Sequence, residues 1–181
     1  FQLTRHPDLS LTAYAMFGSL AVFFIYNVFS KRKKIFMGDS GSLLLGYVII
    51  VMVFSFCELN ADAKMPQQYH FAAAPAVAIS LLIIPLFDTM RVMITRMKKG
   101  YSPFKADRNH LHHLILSLGL KHRQVTFILM GVSCLFLFIG LLGRNLQNGL
   151  LIFIVLLLCV ALIKYLWILV DRRREETTLK K

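Results

Sequence analysis

Two short polar stretches hold most of the residues able to do chemistry. The first is Phe36-Met37-Gly38-Asp39-Ser40-Gly41-Ser42, set between Lys31-Arg32-Lys33-Lys34 and a long apolar run. One carboxylate, two glycines and two hydroxyls at the mouth of a hydrophobic segment are poor core material. They suit a place where phosphate and a divalent cation meet a membrane surface. Asp39 is a hard oxygen ligand of the kind Mg²⁺ takes, one or two carboxylates being completed by phosphate oxygens and waters. Gly38 and Gly41 let backbone N–H groups come close to a ligand. A helix starting near Ser40 would add its free N–H groups and dipole for an anion beside Asp39. The same residues also read as an ordinary Asp or Ser N-cap on a membrane helix, and local sequence does not separate the two.

The second stretch runs from Asp88 to Arg123. Asp88 and Arg91 lie one helical turn apart and can pair, and a structural ion pair at a helix exit is the simpler reading of them than a catalytic role. Met90, Met93 and Met97 recur at helical spacing and are read as packing. Gly100 and Pro103 break the helix. Then comes Lys105-Ala106-Asp107-Arg108-Asn109-His110-Leu111-His112-His113, a dense set of hydrogen-bond donors. The histidine spacing of i, i+2, i+3 is not that of an HExxH zinc helix, and no Glu lies between them. Phosphate or sugar contacts, or acid–base work near neutral pH, fit a basic loop at a membrane surface better. Plain interfacial histidines without a role are the remaining reading.

The elements that must position these residues are membrane helices. Hydrophobic residues make up 57% of the 181 residues and charged ones 17%, and mean hydropathy is +0.63, values that point away from a soluble domain. A bilayer core needs about 20 apolar residues of helix, and about 17 suffice. Five segments meet this: 9–30, 41–57, 71–87, 124–143 and 145–170. The third contains Pro75 and Pro85, tolerated in membrane helices at the cost of a kink. The fifth carries one charge, Lys164, near enough to its end to snorkel. The expected fold is therefore an all-α, polytopic membrane protein of about five transmembrane helices, one part of a larger helical bundle.

The formal net charge of +12 would suggest nucleic acid in a soluble chain. Here the basic residues sit between apolar runs, without the aromatic interleaving that stacking on single strands needs, so no nucleic-acid partner is expected. Lys and Arg fall mainly in segments 31–41, 88–123 and 171–181, with only Arg5, Lys64 and Arg144 on the alternate side. That asymmetry places loops 31–40 and 88–123 and the tail 171–181 in the cytoplasm. The tail itself reads as a positive-inside anchor. Cys57, Cys134 and Cys159 lie within apolar runs with no CxxC spacing, so neither a disulfide framework nor a thiolate metal site is implied.

Taken together, Phe36-Met37-Gly38-Asp39-Ser40-Gly41-Ser42-Leu43, Pro85-Leu86-Phe87-Asp88, Ser102-Pro103-Phe104 and Asp107-Arg108-Asn109-His110-Leu111-His112-His113-Leu114 resemble the polyprenyl-phosphate N-acetylhexosamine-1-phosphate transferases, glycosyltransferase family 4. The nearest branch is the one that uses undecaprenyl phosphate and N-acetylglucosamine in bacterial cell-surface polysaccharide synthesis. The muramoyl-pentapeptide branch is more distant, because it tends to carry consecutive histidines where this chain has His-Leu-His-His. The resemblance covers most of the chain, from about Leu11 to the tail.

The resemblance implies transfer of a sugar 1-phosphate from a UDP-sugar to a polyprenyl phosphate at the cytoplasmic face of the inner membrane. It implies Mg²⁺, with Mn²⁺ as the substitute, and Asp39 as its ligand. His110 is implied as a catalytic residue beside Asp39. Gly38, Ser40, Gly41, Lys105, Arg108, His110, His112 and His113 are implied as contacts to the diphosphate or sugar, with a lipid groove along the apolar helices. The family also uses an adjacent aspartate pair and an asparagine and aspartate motif in earlier loops. Neither occurs here, so the chain is expected to be the C-terminal part of the enzyme and to be inactive alone. Which sugar is used and whether the protein forms a homodimer stay open. A transporter segment for anionic solutes and a non-catalytic assembly subunit are the competing functions.

Overall fold

The computed structural model describes residues 6–30, 35–62, 66, 70–103 and 110–179. Among these residues all regular structure is helical: α1 (Pro7–Phe29), α2 (Gly38–Ala61), α3 (Ala74–Lys98), α4 (Leu111–Leu116), α5 (His122–Leu142) and α6 (Asn148–Leu179). Five of the six are long and apolar enough to cross a membrane, with α6 contributing Asn148–Arg173. The chain is an all-α, multi-pass membrane protein. It divides into two compact units, Phe1–Phe71 and Ala72–Lys181.

In the first unit, α1 buries none of its residues and α2 buries only Asn60. Helices apolar on all sides are built for a hydrocarbon environment rather than for a core with one wet face. Asn60 is an exception with a use. Its amide donates to the Phe56 carbonyl at 2.9 Å, while its Oδ1 accepts the Phe71 N–H at 2.9 Å. The Phe56 and Phe71 rings meet edge to face, 5.7 Å apart. A backbone N–H left unpaired in an apolar setting is costly, and Asn60 supplies the Phe71 N–H with an acceptor.

The second unit holds the described core, where α3 packs on α5 and α6. The first half of α3 is rich in small residues, with Ala74, Ala76, Val77, Ala78 and Ser80 all buried, and Gly140 of α5 lies against it. A Cβ on Gly140 would lie 2.9 Å from Ser80 Cβ and 3.5 Å from the Val77 Cα, so the two backbones approach as closely as helices in membranes do through small residues. Leu151, Val155, Cys159 and Ile163 extend the core along α6.

The spans expected from hydropathy differ from the helices at their ends, for physical reasons. The third was expected to begin at 71 with Pro75 inside it. The helix begins instead at Ala74, which puts Pro75 in the first turn, where a missing N–H costs nothing. It runs on through Pro85 and past the apolar run to Lys98. It stops where Gly100 adopts φ +73° and the Tyr101 N–H closes on the Arg96 carbonyl at 3.0 Å, a left-handed helix end that suits glycine.

The hydrogen bonds fix how the second unit is threaded. At one end the Ala73 N–H donates to the Arg144 carbonyl at 2.9 Å. There the Asn148 side chain accepts from the Ala76 N–H at 3.4 Å and donates to the Ala72 carbonyl at 3.3 Å. At the other end lie the last turns of α3, α4, the start of α5 and the far part of α6, where Arg173 approaches Gly119. Arg96, Lys98, Lys121, Arg123, Arg172 and Arg173 therefore collect at one end of this unit and Arg144 at the other.

Candidate functional site

The two polar stretches belong to different units, and each builds a local arrangement of its own. In the first unit Gly38 opens α2 with φ +69°, a conformation that costs any residue with a Cβ. Asp39 then falls in the first helical turn. No side-chain hydrogen bond caps this helix, so the reading of Asp39 or Ser40 as an ordinary N-cap does not describe the structure. Ser42 turns its hydroxyl back to the Asp39 carbonyl at 2.9 Å. The Asp39 side chain is exposed, leaving its carboxylate open to a ligand.

Gly41 is already inside the helix, so its backbone is not a free N–H platform. Its importance is steric, because a Cβ there would lie 2.8 Å from Met37 Cγ. Met37 and Gly41 also border an open apolar groove of about 580 Å³ between α1 and α2, lined further along by Met16, Leu20, Phe23 and Leu44.

A single exposed carboxylate fits Mg²⁺ in its usual mode, in which the protein supplies one or two oxygens and the substrate and water supply the others. Among the described residues no three His, Cys, Asp or Glu side chains converge on one point. The carboxylate of Asp39 thus suits a metal held jointly with phosphate and does not build an all-protein cage.

In the second unit the histidines lie at and just after the start of α4, with His110 against Asp88 of α3. His110 precedes α4 in an extended conformation, φ −68° and ψ 157°, and its Nδ1 lies 3.1 Å from Asp88 Oδ2. The other oxygen, Oδ1, accepts the Leu111 N–H at 2.9 Å and the Arg91 Nη2 at 3.0 Å. Asp88 therefore caps α4 from across the chain, holds a ring and pairs with a guanidinium. Its side chain is only 15% exposed, as Arg91's is 14%, whereas that of His110 is 39% exposed. The Asp88–Arg91 pair read from the sequence is present. The spacing gave no sign that Asp88 also reaches His110, because that contact spans 22 residues.

The three rings stack in sequence. His110 and His112 are nearly parallel with centroids 6.0 Å apart, and His112 and His113 are 4.1 Å apart, tilted by 38°. Partial burial lowers the pKa of His112. The charges of His113, His110 and His122 push in the same direction, and Asp88 opposes them. His112 is thus a neutral ring near pH 7, able to accept or donate one hydrogen bond. Leu111 and Ile115 are buried in the core and anchor α4, so the histidines sit on a fixed support. Lys105 and Arg108 lie outside the described residues. Asp39, Gly38, Ser40 and Gly41 form the first arrangement, and His110, His112 and His113 form the second.

Comparison with known proteins agrees with these motifs. A model described as "Glycosyl transferase family 4" matches residues 1–56. The chain is 33% identical over 141 residues to an undecaprenyl-phosphate alpha-N-acetylglucosaminyl 1-phosphate transferase of Yersinia pestis, an alignment covering 77% of this chain and 36% of that protein. It is 32% identical over 139 residues to the protein of that name in Escherichia coli strain K12, covering 76% and 35%. For the one in Haemophilus influenzae the identity is 33% over 140 residues, covering 76% and 37%. The chain thus spans a little over a third of the length of these relatives. No solved structure matches it significantly. The chain is thus similar to glycosyl transferase family 4 over residues 1–56 and to these relatives along three quarters of its length.

Proposed function

We propose that the full-length protein carrying this chain transfers N-acetylglucosamine 1-phosphate from a UDP-sugar to undecaprenyl phosphate, at the cytoplasmic face of the inner membrane. The observation that carries this reading is the shared name of relatives about a third identical across three quarters of the chain. Their greater length makes the activity a property of the whole protein rather than of these 181 residues.

In the reaction a phosphate oxygen of the lipid attacks the phosphorus that bears the sugar. A new phosphoanhydride forms to that phosphorus, the bond to the bridging oxygen of UMP breaks, and UMP leaves with the electron pair. One anhydride replaces another, so the task is to hold several anions together in line. Mg²⁺, when bound, supplies charge stabilisation to the diphosphate oxygens. Asp39 is the ligand that would hold it, beside Gly38, Ser40 and Gly41. The apolar groove is lined by Met37 and Gly41, which flank Asp39 in sequence, and this supports reading it as a course for part of the polyprenyl chain. His110, His112 and His113, with Lys105 and Arg108, supply donors for the diphosphate and sugar. The basic end of the second unit favours the cytoplasmic side for that cluster.

The test is UMP release from UDP-N-acetylglucosamine by membranes containing the full-length protein, with undecaprenyl phosphate and Mg²⁺. Asp39→Asn removes the charge that holds the metal and is expected to lower turnover by at least about a hundredfold, the loss of several kcal/mol of metal-assisted stabilisation. Near-normal UMP release by this variant removes Asp39 from the metal site.

A further inference from the structure

We infer that Asp88 is a positioning residue that sets the tautomer of His110, placing the ring proton on Nδ1 and leaving Nε2 as the nitrogen that meets the substrate. This rests on the transferase reading for the identity of the substrate, but the geometry behind it is independent of that reading. Oδ1 of Asp88 already accepts two N–H donors, one of them a guanidinium. Oδ2 therefore faces His110 Nδ1 as an acceptor at 3.1 Å. A carboxylate in that role takes a proton from its partner and offers none, so Nδ1 carries the hydrogen. The neutral ring then presents a bare Nε2, a base or acceptor, and the protonated ring presents an Nε2–H for a phosphate oxygen.

Two further features show that the arrangement is held in place. Asp88 belongs to a long helix packed on α5 and α6. Its second hydrogen bond fixes the first N–H of α4, so the ring and the helix that carries it are located by one side chain. Among the described residues, the ionisable groups around the ring are Asp88 and Arg91 from α3 and His112 and His113 from α4, with His122 of α5 acting on His112. Among the described residues, only Asp88 offers a carboxylate to Nδ1.

Asp88→Asn separates positioning from structure. The amide oxygen keeps the bonds to Leu111 N–H and Arg91, while the amide nitrogen takes the place of Oδ2 and donates to Nδ1. That forces the proton to Nε2. The full-length protein labelled with ¹⁵N-histidine, with His110→Asn to assign the signal, is expected to show protonated Nδ1 and bare Nε2 in the neutral ring. In the Asp88→Asn variant the pattern inverts. Turnover is expected to fall about 10- to 100-fold with little change in KM for the UDP-sugar, the loss typical of removing the partner that orients a functional histidine. In a His110→Asn background the same change is expected to add less than about threefold, since residues acting as one unit are not additive.

A wild-type His110 protonated at Nε2 overturns the inference, and this holds even if Asp88→Asn does not fold. Full activity in a folded Asp88→Asn protein, or an undiminished loss in the His110→Asn background, overturns it too. If the wild-type protein releases no UMP, the transferase reading falls while the nitrogen signals still decide the role of Asp88.

Discussion

Gly140→Ala adds one methyl where α5 crosses α3, and the structure sets its cost. The new Cβ would stand 2.0 Å from Ser80 Oγ and 2.9 Å from Ser80 Cβ, against about 3.5–4.0 Å for carbons in contact. Rotating the Ser80 hydroxyl away relieves the first clash but breaks its bond to the Val77 carbonyl, 2.7 Å long, at about 1 kcal/mol. The carbon clash then remains, and the helices must part by roughly 0.5–1 Å, an overpacking cost of about 1–3 kcal/mol. Alanine's better helix propensity returns up to about 1 kcal/mol. The clash wins, and the net destabilisation is about 1–3 kcal/mol.

Ser80→Gly removes both opposing atoms, so in combination with Gly140→Ala it should recover part of the loss despite its own backbone cost. The two changes then couple by at least about 1 kcal/mol in a double-mutant cycle. The assay is equilibrium unfolding in mixed micelles, followed by helical signal. A Gly140→Ala protein within about 0.5 kcal/mol of wild type, or strictly additive effects with Ser80→Gly, would refute the close approach of α3 and α5. Ser80 lies eight residues, about 12 Å along the helix, before Asp88. The variant should therefore lose stability without a specific change in KM.

Four further outcomes follow from the geometry. His113→Asn removes the largest charge acting on His112, so the His112 pKa should rise toward the ordinary histidine value of about 6.5, as read by NMR titration. An unchanged value means the two rings do not interact. Because folding holds the wild-type His112 pKa below its unfolded value, its neutral form is the one the fold favours. Its contribution to stability is complete above about pH 6.5 and is lost as pH falls toward the depressed value, so acid unfolding of wild type should shift when His112 is replaced by Gln. Asn148→Ala leaves the Ala72 carbonyl and Ala76 N–H without the partner that joins α3 to α6 and should cost about 1–3 kcal/mol, measured by the same micelle unfolding. Gly38→Ala forces a Cβ into φ +69° at about 1–2 kcal/mol and should also reduce Mg²⁺-dependent turnover by moving Asp39.

The class of the fold was legible because membrane helices announce themselves by uninterrupted apolar runs, and five of them are long enough to cross a bilayer. Their ends were less legible. Hydropathy marks where apolar residues stop, whereas α3 continues to Lys98 because backbone hydrogen bonds persist until Gly100 turns left-handed. Pro75 was placed inside a span because composition does not show which residue starts a helix. At the site, the types and order of Asp39 and the three histidines were plain, since carboxylate and imidazole stand out among apolar residues. The role of Asp88 was half visible. Its pairing with Arg91 is a local matter of helical periodicity. Its hold on His110 and the Leu111 N–H depends on how α4 folds back, which no spacing rule encodes. Gly140 was silent in the sequence, because close packing against Ser80 is a property of two helices and not of either alone.

In the proposed reaction the sugar moves together with its phosphate. UDP-N-acetylglucosamine labelled with ³²P in the sugar-linked phosphate, incubated with undecaprenyl phosphate, Mg²⁺ and membranes containing the full-length protein, follows that atom directly. Label is expected in the lipid fraction in equal amount to the UMP released, and far less of it with Asp39→Asn. Label left in the aqueous phase as UDP, while the sugar itself reaches the lipid, would contradict it.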